Sequence, residues 1–132
     1  MSKAKQFKAT RKHHSLESAE DYTELIHELI EESGEARTGQ IAKQLGISHV
    51  TALRTIRRLQ EQGYLKTEQH KPVELTAKGK KLALYSKKRH QILLDFLIQI
   101  GVPKDIAEID VEGIEHHVSK ITLDRIKKFL LN

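Results

Sequence analysis

A tight turn at Leu45-Gly46-Ile47-Ser48 constrains the fold most, because it joins two short segments with helical spacing. The first segment runs from Thr38 to Leu45, and Thr38 is its expected N-cap. Ser48 is the expected N-cap of the second segment, which Gly63 ends. The expected buried stripe of this second helix consists of Val50, Leu53, Ile56 and Leu59. Two such helices across a tight turn predict a helix-turn-helix unit.

The segments on either side of this unit complete a small winged domain. A helix is expected from about Glu17 to Ser33, where apolar residues recur at helical spacing and Gly34 follows. Two short strands at residues 64–68 and 73–76 flank a Gln69-His70-Lys71-Pro72 tip and predict a wing. We therefore predict a winged helix-turn-helix domain over residues 17–76.

Beyond the wing, helical spacing returns from Ala77 onward. A long helix over residues 82–100 is apolar on more than one side, and Gly101-Val102-Pro103 breaks it. Two shorter helices are expected, the last over residues 122–130. Such apolar faces are most often core, but their surplus here predicts contact with another chain. We predict a C-terminal helical dimerisation domain at residues 77–132, and a fold that is mainly α with a small β-wing.

Charge is segregated along the chain, whose formal net charge is +5 over 132 residues. Residues 1–16 contain five of the 23 basic residues and no acid, whereas residues 17–35 carry only acidic charge. Blocks of like charge are often disordered or bind partners. Residues 1–16 are therefore predicted to be a flexible basic arm, with nucleic acid as one partner.

The absence of cysteine excludes a disulfide framework and any thiolate metal ligand. No apolar stretch is long enough to span a bilayer, and no signal peptide is recognisable, so no membrane association is expected. A reducing, cytoplasmic setting is the expected location.

The second helix of the turn unit carries cationic and small polar side chains, which suits a helix that reads the major groove of DNA. Thr51 and Arg54 are the candidates for base edges, and Ser48 and His49 begin the same helix. The candidate phosphate contacts are Lys43, Arg57, Arg58, His70 and Lys71. The alternative is a three-helix bundle with an ordinary basic surface. We predict binding to double-stranded DNA, and a homodimer on a palindromic operator because paired reading helices need two copies.

The segment Asp110-Val-Glu-Gly-Ile-Glu-His-His117 predicts a metal site in the C-terminal domain. If it is helical, Glu112, Glu115 and His116 lie at i, i+3 and i+4 and project from one face. Two carboxylates and an imidazole form an oxygen-rich half-site, unlike the thiolate sites that suit zinc or copper. The alternative is a solvated acidic helix face, since short clusters of this kind are common on surfaces.

Asp21-Tyr-Thr-Glu24, Arg89-His90 and the segment Asp110–His117 occur in order around the wing. On these residues the chain resembles the manganese transport regulators of the diphtheria toxin repressor family, over roughly residues 18–130. The resemblance implies two Mn²⁺ ions per chain. One ion would be held by Asp21, Glu112, Glu115 and His116, and the second by Glu24, His90, Glu115 and the backbone carbonyl of Glu112.

The resemblance also implies which metal is sensed and how. The iron-responsive branch has methionine at the position of Asp21 and cysteine at the position of Glu112, and this chain has neither. Metal held jointly by the first helix and the C-terminal domain would restrict the orientation of the DNA-reading domain, and the bound form would block transcription of manganese-uptake genes. Longer members add an SH3-like C-terminal domain, for which this sequence has no residues, and the basic arm before Ser18 is a further departure.

Two other classes of function stay open on the sequence. A metallohydrolase could use a similar cluster, with His90 or Glu115 assisting a metal-bound water. No nucleophile elbow, substrate loop or phosphate cradle accompanies the cluster, so an enzyme is not expected. A metal-independent winged-helix regulator, or an architectural DNA-binding protein, would carry the acidic cluster incidentally. Neither of these would bind manganese saturably.

Overall fold

A computed structural model describes residues 2–132, except for the side chains of residues 8–15. The elements in chain order are α1 (Lys3–Ser33), α2 (Thr38–Leu45), α3 (His49–Glu61), β1 (Leu65–Lys66), β2 (Glu74–Leu75), α4 (Ala77–Gln99), α5 (Lys104–Ile114), a 3₁₀ turn (Glu115–His117) and α6 (Lys120–Leu131). The predicted architecture, mainly α with a small β-wing, is confirmed. No helix in the described part of the chain is long and apolar enough to cross a membrane.

The structure divides into two compact units. The N-terminal unit comprises Ser18–Leu84 and contains the helix-turn-helix and the wing. The C-terminal unit comprises Tyr85–Asn132 together with the segment that ends at Glu17. The division falls inside α4, whereas the sequence analysis drew it between residues 76 and 77.

Helix α1 begins at Lys3, and the expected start near Glu17 is wrong. The first residues include the helix formers Ala4, Lys5 and Gln6, and no glycine or proline interrupts the helix before Gly34. Ser2 Oγ accepts a hydrogen bond from the Lys5 N–H at 3.2 Å, which satisfies one of the amides that a helix start leaves unpaired. The predicted flexibility of the basic arm at residues 1–16 stays a prediction. Met1 and the side chains of residues 8–15 lie outside the described residues.

The turn between α2 and α3 forms as the sequence predicts. Gly46 has a left-handed φ of 69°, and the following amide, of Ile47, donates to the carbonyl of Ala42 at 3.0 Å. Ser48 caps α3, because its Oγ accepts from the Thr51 N–H at 3.1 Å, an interaction worth about 1 kcal/mol. The predicted cap of α2 is wrong. Its N-cap is Arg37, whose backbone N–H donates to Gln40 Oε1 at 2.8 Å.

One apolar core holds the N-terminal unit together. Its fully buried side chains include Ile26, Ile41, Ile56, Leu59, Leu65 and Val73. On α3 the buried residues are Ala52, Ile56 and Leu59, which follow one line along the helix. Val50 lies off that line and is 65% exposed, while Leu53 is half-buried. The predicted buried stripe is therefore wrong at Val50.

The wing is a two-residue antiparallel ladder in which Leu65 pairs with Leu75 and Lys66 with Glu74. Its strands are shorter than the sequence suggested. At its base, Thr76 Oγ1 donates to the Gly63 carbonyl at 2.6 Å and accepts from the Gly79 N–H at 3.1 Å. A Cβ at Gly79 would lie 2.1 Å from the Tyr64 carbonyl oxygen, so α4 can approach the start of the wing only with glycine there.

The C-terminal unit has its own core. The buried apolar residues are Leu93 and Leu94 of α4, Ala107 and Val111 of α5, and Leu123 of α6. Phe96 and Phe129 pack edge to face at its margin, with ring centroids 5.8 Å apart. Large apolar side chains nonetheless remain exposed on this unit, among them Ile98, Ile100, Ile106, Ile109, Ile121 and Leu131. The surplus apolar surface expected from the sequence is therefore present.

Candidate metal centre and DNA-binding surface

Three side chains of the C-terminal unit converge: His90 of α4, Glu112 of α5 and Glu115 of the 3₁₀ turn. Their ligand atoms all lie within 4.8 Å of one another. His90 Nδ1 and Glu115 Oε2 are 2.6 Å apart and form a short hydrogen bond. Each donor comes from a different element, so the folding of this unit assembles residues that the sequence separates.

Glu115 is at the centre of the cluster and is 2% exposed. Burial raises the pKa of its carboxyl above the ordinary value, the hydrogen bond and positive charge of His90 lower it, and the nearby Glu112 carboxylate raises it further. His116, 5% exposed, places Nε2 3.6 Å from Glu115 Oε1. A buried carboxylate is costly unless its charge is compensated, and a divalent cation would compensate it.

The backbone at this cluster differs from the single helix expected over Asp110–His117. Helix α5 ends at Ile114, and the chain tightens into a 3₁₀ turn at Glu115–His117. A 3₁₀ turn rotates the chain faster than an α-helix does. Glu112, on α5, is exposed, whereas within the turn Glu115 and His116 are buried and His117 is exposed.

The donor set of the cluster suits a hard or borderline divalent cation. Carboxylate oxygens favour metals such as manganese, magnesium and calcium, and an imidazole adds affinity for transition metals. Metal–oxygen distances of about 2.0–2.6 Å allow donors around one ion to lie up to about 4–5 Å apart. The observed spread of 4.8 Å therefore needs little adjustment to close around a cation.

Asp21 and Glu24, the other predicted ligands, lie on α1 in the N-terminal unit. Both are half-buried, and residues three apart on a helix project from one face. The structure thus brings together His90, Glu112 and Glu115, with His116 beside them. The roles of Asp21 and Glu24 stay a prediction.

Every residue predicted to contact DNA is exposed on the N-terminal unit: Lys43, Ser48, His49, Thr51, Arg54, Arg57, Arg58, His70 and Lys71. His70 has a left-handed φ of 65° at the tip of the wing, and the Lys71 N–H closes the tip by donating to the Glu68 carbonyl at 3.1 Å. The contacts with DNA are not tested by exposure alone, and the individual roles remain predictions.

The exposed part of α3 has two distinct faces. One face, with His49, Leu53, Arg57 and Gln60, lines a cleft of about 540 Å³ whose opposite wall is the wing tip. The adjacent face carries Val50, Arg54 and Arg58, and Leu53 and Arg57 lie at the border of the two faces. Arg57 therefore lines the cleft as well as the adjacent face, whereas Arg58 lines the adjacent face and not the cleft. The cleft is also lined by Arg37, which the sequence analysis did not include, because its proximity to the wing depends on the fold.

Family models match both halves of the chain. Residues 14–73 match "Iron dependent repressor, N-terminal DNA binding domain", and residues 76–132 match "Iron dependent repressor, metal binding and dimerisation domain". The transcriptional regulator MntR of Escherichia coli O6:H1 is 45% identical over 123 residues, which cover 93% of this chain and 79% of that protein. This chain belongs to the iron-dependent repressor family.

Further relatives agree with this membership. The HTH-type transcriptional regulator MntR of Bacillus subtilis is 42% identical over 109 residues, 83% of this chain and 77% of that protein. A solved structure described as a manganese-dependent transcriptional repressor in complex with manganese superposes with a TM-score of 0.76 at 34% identity, covering 85% of this chain and 52% of that one. The chain therefore spans about half the length of that solved structure.

Membership of the iron-dependent repressor family confirms the general predictions. The chain is a DNA-binding transcriptional regulator with a metal-binding and dimerisation domain, in agreement with the predicted homodimer. Its relatives regulate transcription, so the metallohydrolase alternative is not favoured.

Proposed function

We propose that this member of the iron-dependent repressor family is a cytoplasmic, manganese-responsive regulator. With metal bound, it would repress the transcription of manganese-uptake genes. The observation that carries the proposal is the convergence of His90 and Glu112 on the buried carboxylate of Glu115. The names of its relatives support the choice of manganese, since they include MntR proteins and a manganese-dependent repressor.

The proposed ligand set extends beyond this cluster. Two Mn²⁺ ions per chain would be held, the first by Asp21, Glu112, Glu115 and His116. The second would be held by Glu24, His90, Glu115 and the Glu112 carbonyl. The burial of His116 next to Glu115 supports its inclusion, because an imidazole 3.6 Å from a carboxylate can share a cation with it. For Asp21 and Glu24 the support is the family resemblance.

Preference for manganese cannot come from affinity alone, because the same donors bind later transition metals more tightly by the Irving–Williams order. The donors proposed here are carboxylate oxygens, a carbonyl and imidazoles, and the chain has no cysteine to favour softer metals. Selectivity then depends on the coordination geometry that these donors impose and on the supply of each metal in the cell.

Occupation of the centre would change the hydrogen bonding of its ligands. His90 Nδ1 and Glu115 Oε2 form a 2.6 Å hydrogen bond, and a metal ligand must be a neutral imidazole or an ionised carboxylate. Metal binding should therefore release protons and weaken in acid. The raised pKa of Glu115 acts in the same direction.

Metal bound to these ligands would raise the affinity of the dimer for a palindromic operator. Allosteric coupling between two sites is typically about 1–3 kcal/mol, a factor of roughly 5–150 in affinity. The metal would act by favouring one of the pre-existing arrangements of the two recognition helices.

Selection from a randomised pool of DNA duplexes tests this function. Chelator-treated protein retains duplexes with and without Mn²⁺, and the retained fraction is sequenced. Enrichment of a palindrome only with Mn²⁺ supports the proposal and yields the operator. Equal enrichment in both conditions would contradict metal control, and no enrichment would contradict sequence-specific DNA binding.

A variant pair assigns any metal dependence to the proposed centre. Glu115→Gln keeps the shape of the side chain but removes its charge, so it should lose Mn²⁺-dependent enrichment. His117→Gln changes an exposed neighbour outside the proposed ligand set and should retain it.

A further inference from the structure

We propose that the cleft between α3 and the wing holds a backbone phosphate of bound DNA, and that Arg37 is one of its ligands. The cleft has a volume of about 540 Å³ and lies entirely within the N-terminal unit. Arg37 stands at its α2 wall and Arg57 at its α3 wall. The inference rests on the proposed DNA-binding function and adds a residue to it.

Arg37 is held at the cleft by contacts that leave much of its guanidinium available. Its Nε donates to Glu35 Oε1 at 3.0 Å, and its Nη1 is 3.5 Å from the His70 carbonyl oxygen. Its side chain is 50% exposed. A guanidinium has five N–H donors, so these contacts do not exhaust it. The contact with His70 places the charge of Arg37 beside the tip of the wing.

The balance of charge in the cleft favours an anion. Its lining contains the cations Arg37, Arg57 and Lys71, the imidazoles of His49 and His70, and one carboxylate, Glu68. Glu68 is paired with Lys71 at 2.9 Å, so these two charges compensate each other. Arg37 is likewise paired with Glu35 at 3.0 Å, a carboxylate outside the lining of the cleft, so among the described residues Arg57 is the cation of the lining without an ion pair. Arg37 contributes the N–H donors that this pair leaves available.

The backbone adds to this preference. Thr38 and Gly39 begin α2 and line the cleft, and the first amides of a helix favour a negative charge. In helix-turn-helix proteins the first helix of the motif crosses the DNA backbone while the second enters the major groove. The group of bound DNA that would lie between α2, α3 and the wing is therefore a backbone phosphate, not a base edge.

The proposal separates Arg57 from Arg58. Arg57 borders both faces and shares the cleft with Arg37, whereas Arg58 lines the adjacent face of α3 and not the cleft. If Arg37 and Arg57 bind one phosphate, loss of either weakens the contribution of the other. Arg58 should act independently of Arg37, because distant contacts with no shared partner are additive.

The test is a double-mutant cycle measured by fluorescence anisotropy at saturating Mn²⁺. Arg37→Gln and Arg57→Gln are made singly and together, and Arg37→Gln is also combined with Arg58→Gln as the matched control. Two labelled duplexes are used, the one enriched in the selection above and a shuffled duplex of the same composition. Arg37 caps α2 through its backbone only, so the glutamine variant retains the N-cap hydrogen bond.

We expect Arg37→Gln to weaken both duplexes by the same factor, roughly three- to tenfold, and to flatten the salt dependence by about one unit of slope at most. In the combined Arg37→Gln and Arg57→Gln variant, the fold-loss of DNA affinity should be smaller than the product of the two single fold-losses. In the combined Arg37→Gln and Arg58→Gln variant, it should equal that product. Unchanged affinity in Arg37→Gln, weakening of the enriched duplex alone, or a fully multiplicative Arg37 and Arg57 pair would overturn the inference. A wild-type protein that binds neither duplex would instead overturn the proposed function.

Discussion

The surface predicted to bind DNA and the candidate metal centre differ in how their ionisable groups meet solvent. In the N-terminal unit the cations Lys43, Arg54 and Arg58 are exposed. In the C-terminal unit the ionisable side chains of Glu115 and His116 are buried, at 2% and 5% exposure. Exposed charges are solvated without a partner, and salt screens their interactions. A buried carboxylate needs compensation by a proton or a cation. The DNA-binding surface is thus always charged and ready to bind, whereas the metal centre changes its charge when a cation binds. This difference makes the second region suited to control the first.

The largest expected effect is loss of metal control from the centre itself. In the combined Glu112→Gln and Glu115→Gln variant, Mn²⁺ should no longer change DNA affinity, so the whole coupling of about 5- to 150-fold disappears. Anisotropy titrations of the enriched duplex with and without Mn²⁺ measure this. His117→Gln is the control and should behave as wild type. A double variant that keeps the full response would place the sensing site elsewhere.

A glycine substitution should damage the N-terminal unit and spare the metal centre. Gly79→Ala brings a Cβ to 2.1 Å from the Tyr64 carbonyl oxygen, so the backbone must shift, at a cost of about 1–3 kcal/mol in the free energy of unfolding. Gly39→Ala meets no atom within 4 Å and should be neutral or stabilise α2 by up to about 1 kcal/mol. Denaturant unfolding measures both. Equal stability of the two variants would show that the contact at Gly79 is not restrictive.

Substitutions of two arginines on α3 should have different effects, because one is predicted to contact a base edge and the other a phosphate. Arg54→Ala should cost about 1–3 kcal/mol on the enriched duplex and relax the preference at one base pair, because it removes a predicted contact to a base edge. Arg58→Ala should weaken enriched and shuffled duplexes equally and reduce the salt slope by about one. Affinities for single-base variants of the operator distinguish these results. The opposite pattern would exchange the two roles.

The smallest expected effect concerns the stability of the metal-free protein. The pKa of Glu115 is raised in the folded state, so the folded protein binds the proton more tightly than the unfolded chain does. The contribution of Glu115 to the free energy of unfolding is therefore complete below the ordinary carboxyl pKa of 4.5. It is lost as the pH rises through the raised pKa of the folded protein. Glu115→Gln, which cannot ionise, should become more stable than wild type as pH rises through that window.

Unfolding in chelator at several pH values measures this difference. Glu108→Gln, on the exposed surface of α5, is the matched control and should track wild type. A constant difference between Glu115→Gln and wild type across the window would mean that burial does not determine the ionisation of Glu115.

The local part of the fold could be predicted because its signals are local. Gly46 supplies a left-handed turn, and Ser48 caps α3 two residues later. The proposed ligands Glu112, Glu115 and His116 likewise lie within one segment. The start of α1 was missed because the change from basic to acidic residues does not end a helix, whereas glycine or proline would.

Other features depend on contacts between distant segments. Val50 is exposed because the phase of α3 is set by Ala52, Ile56 and Leu59 against the core, which spacing alone did not resolve. The 3₁₀ turn at Glu115 and the position of Arg37 beside the wing tip also arise only in the folded chain. The sequence therefore identified residues of the candidate metal centre without indicating which of them are buried.

Reciprocal linkage between metal and DNA tests the central claim most directly. Isothermal titration of the protein with Mn²⁺ is carried out with and without a saturating amount of the enriched duplex. If the centre controls DNA binding, the duplex must tighten Mn²⁺ binding by the same factor by which Mn²⁺ tightens DNA binding. Identical Mn²⁺ affinity in both titrations, or no saturable binding in either, would contradict it.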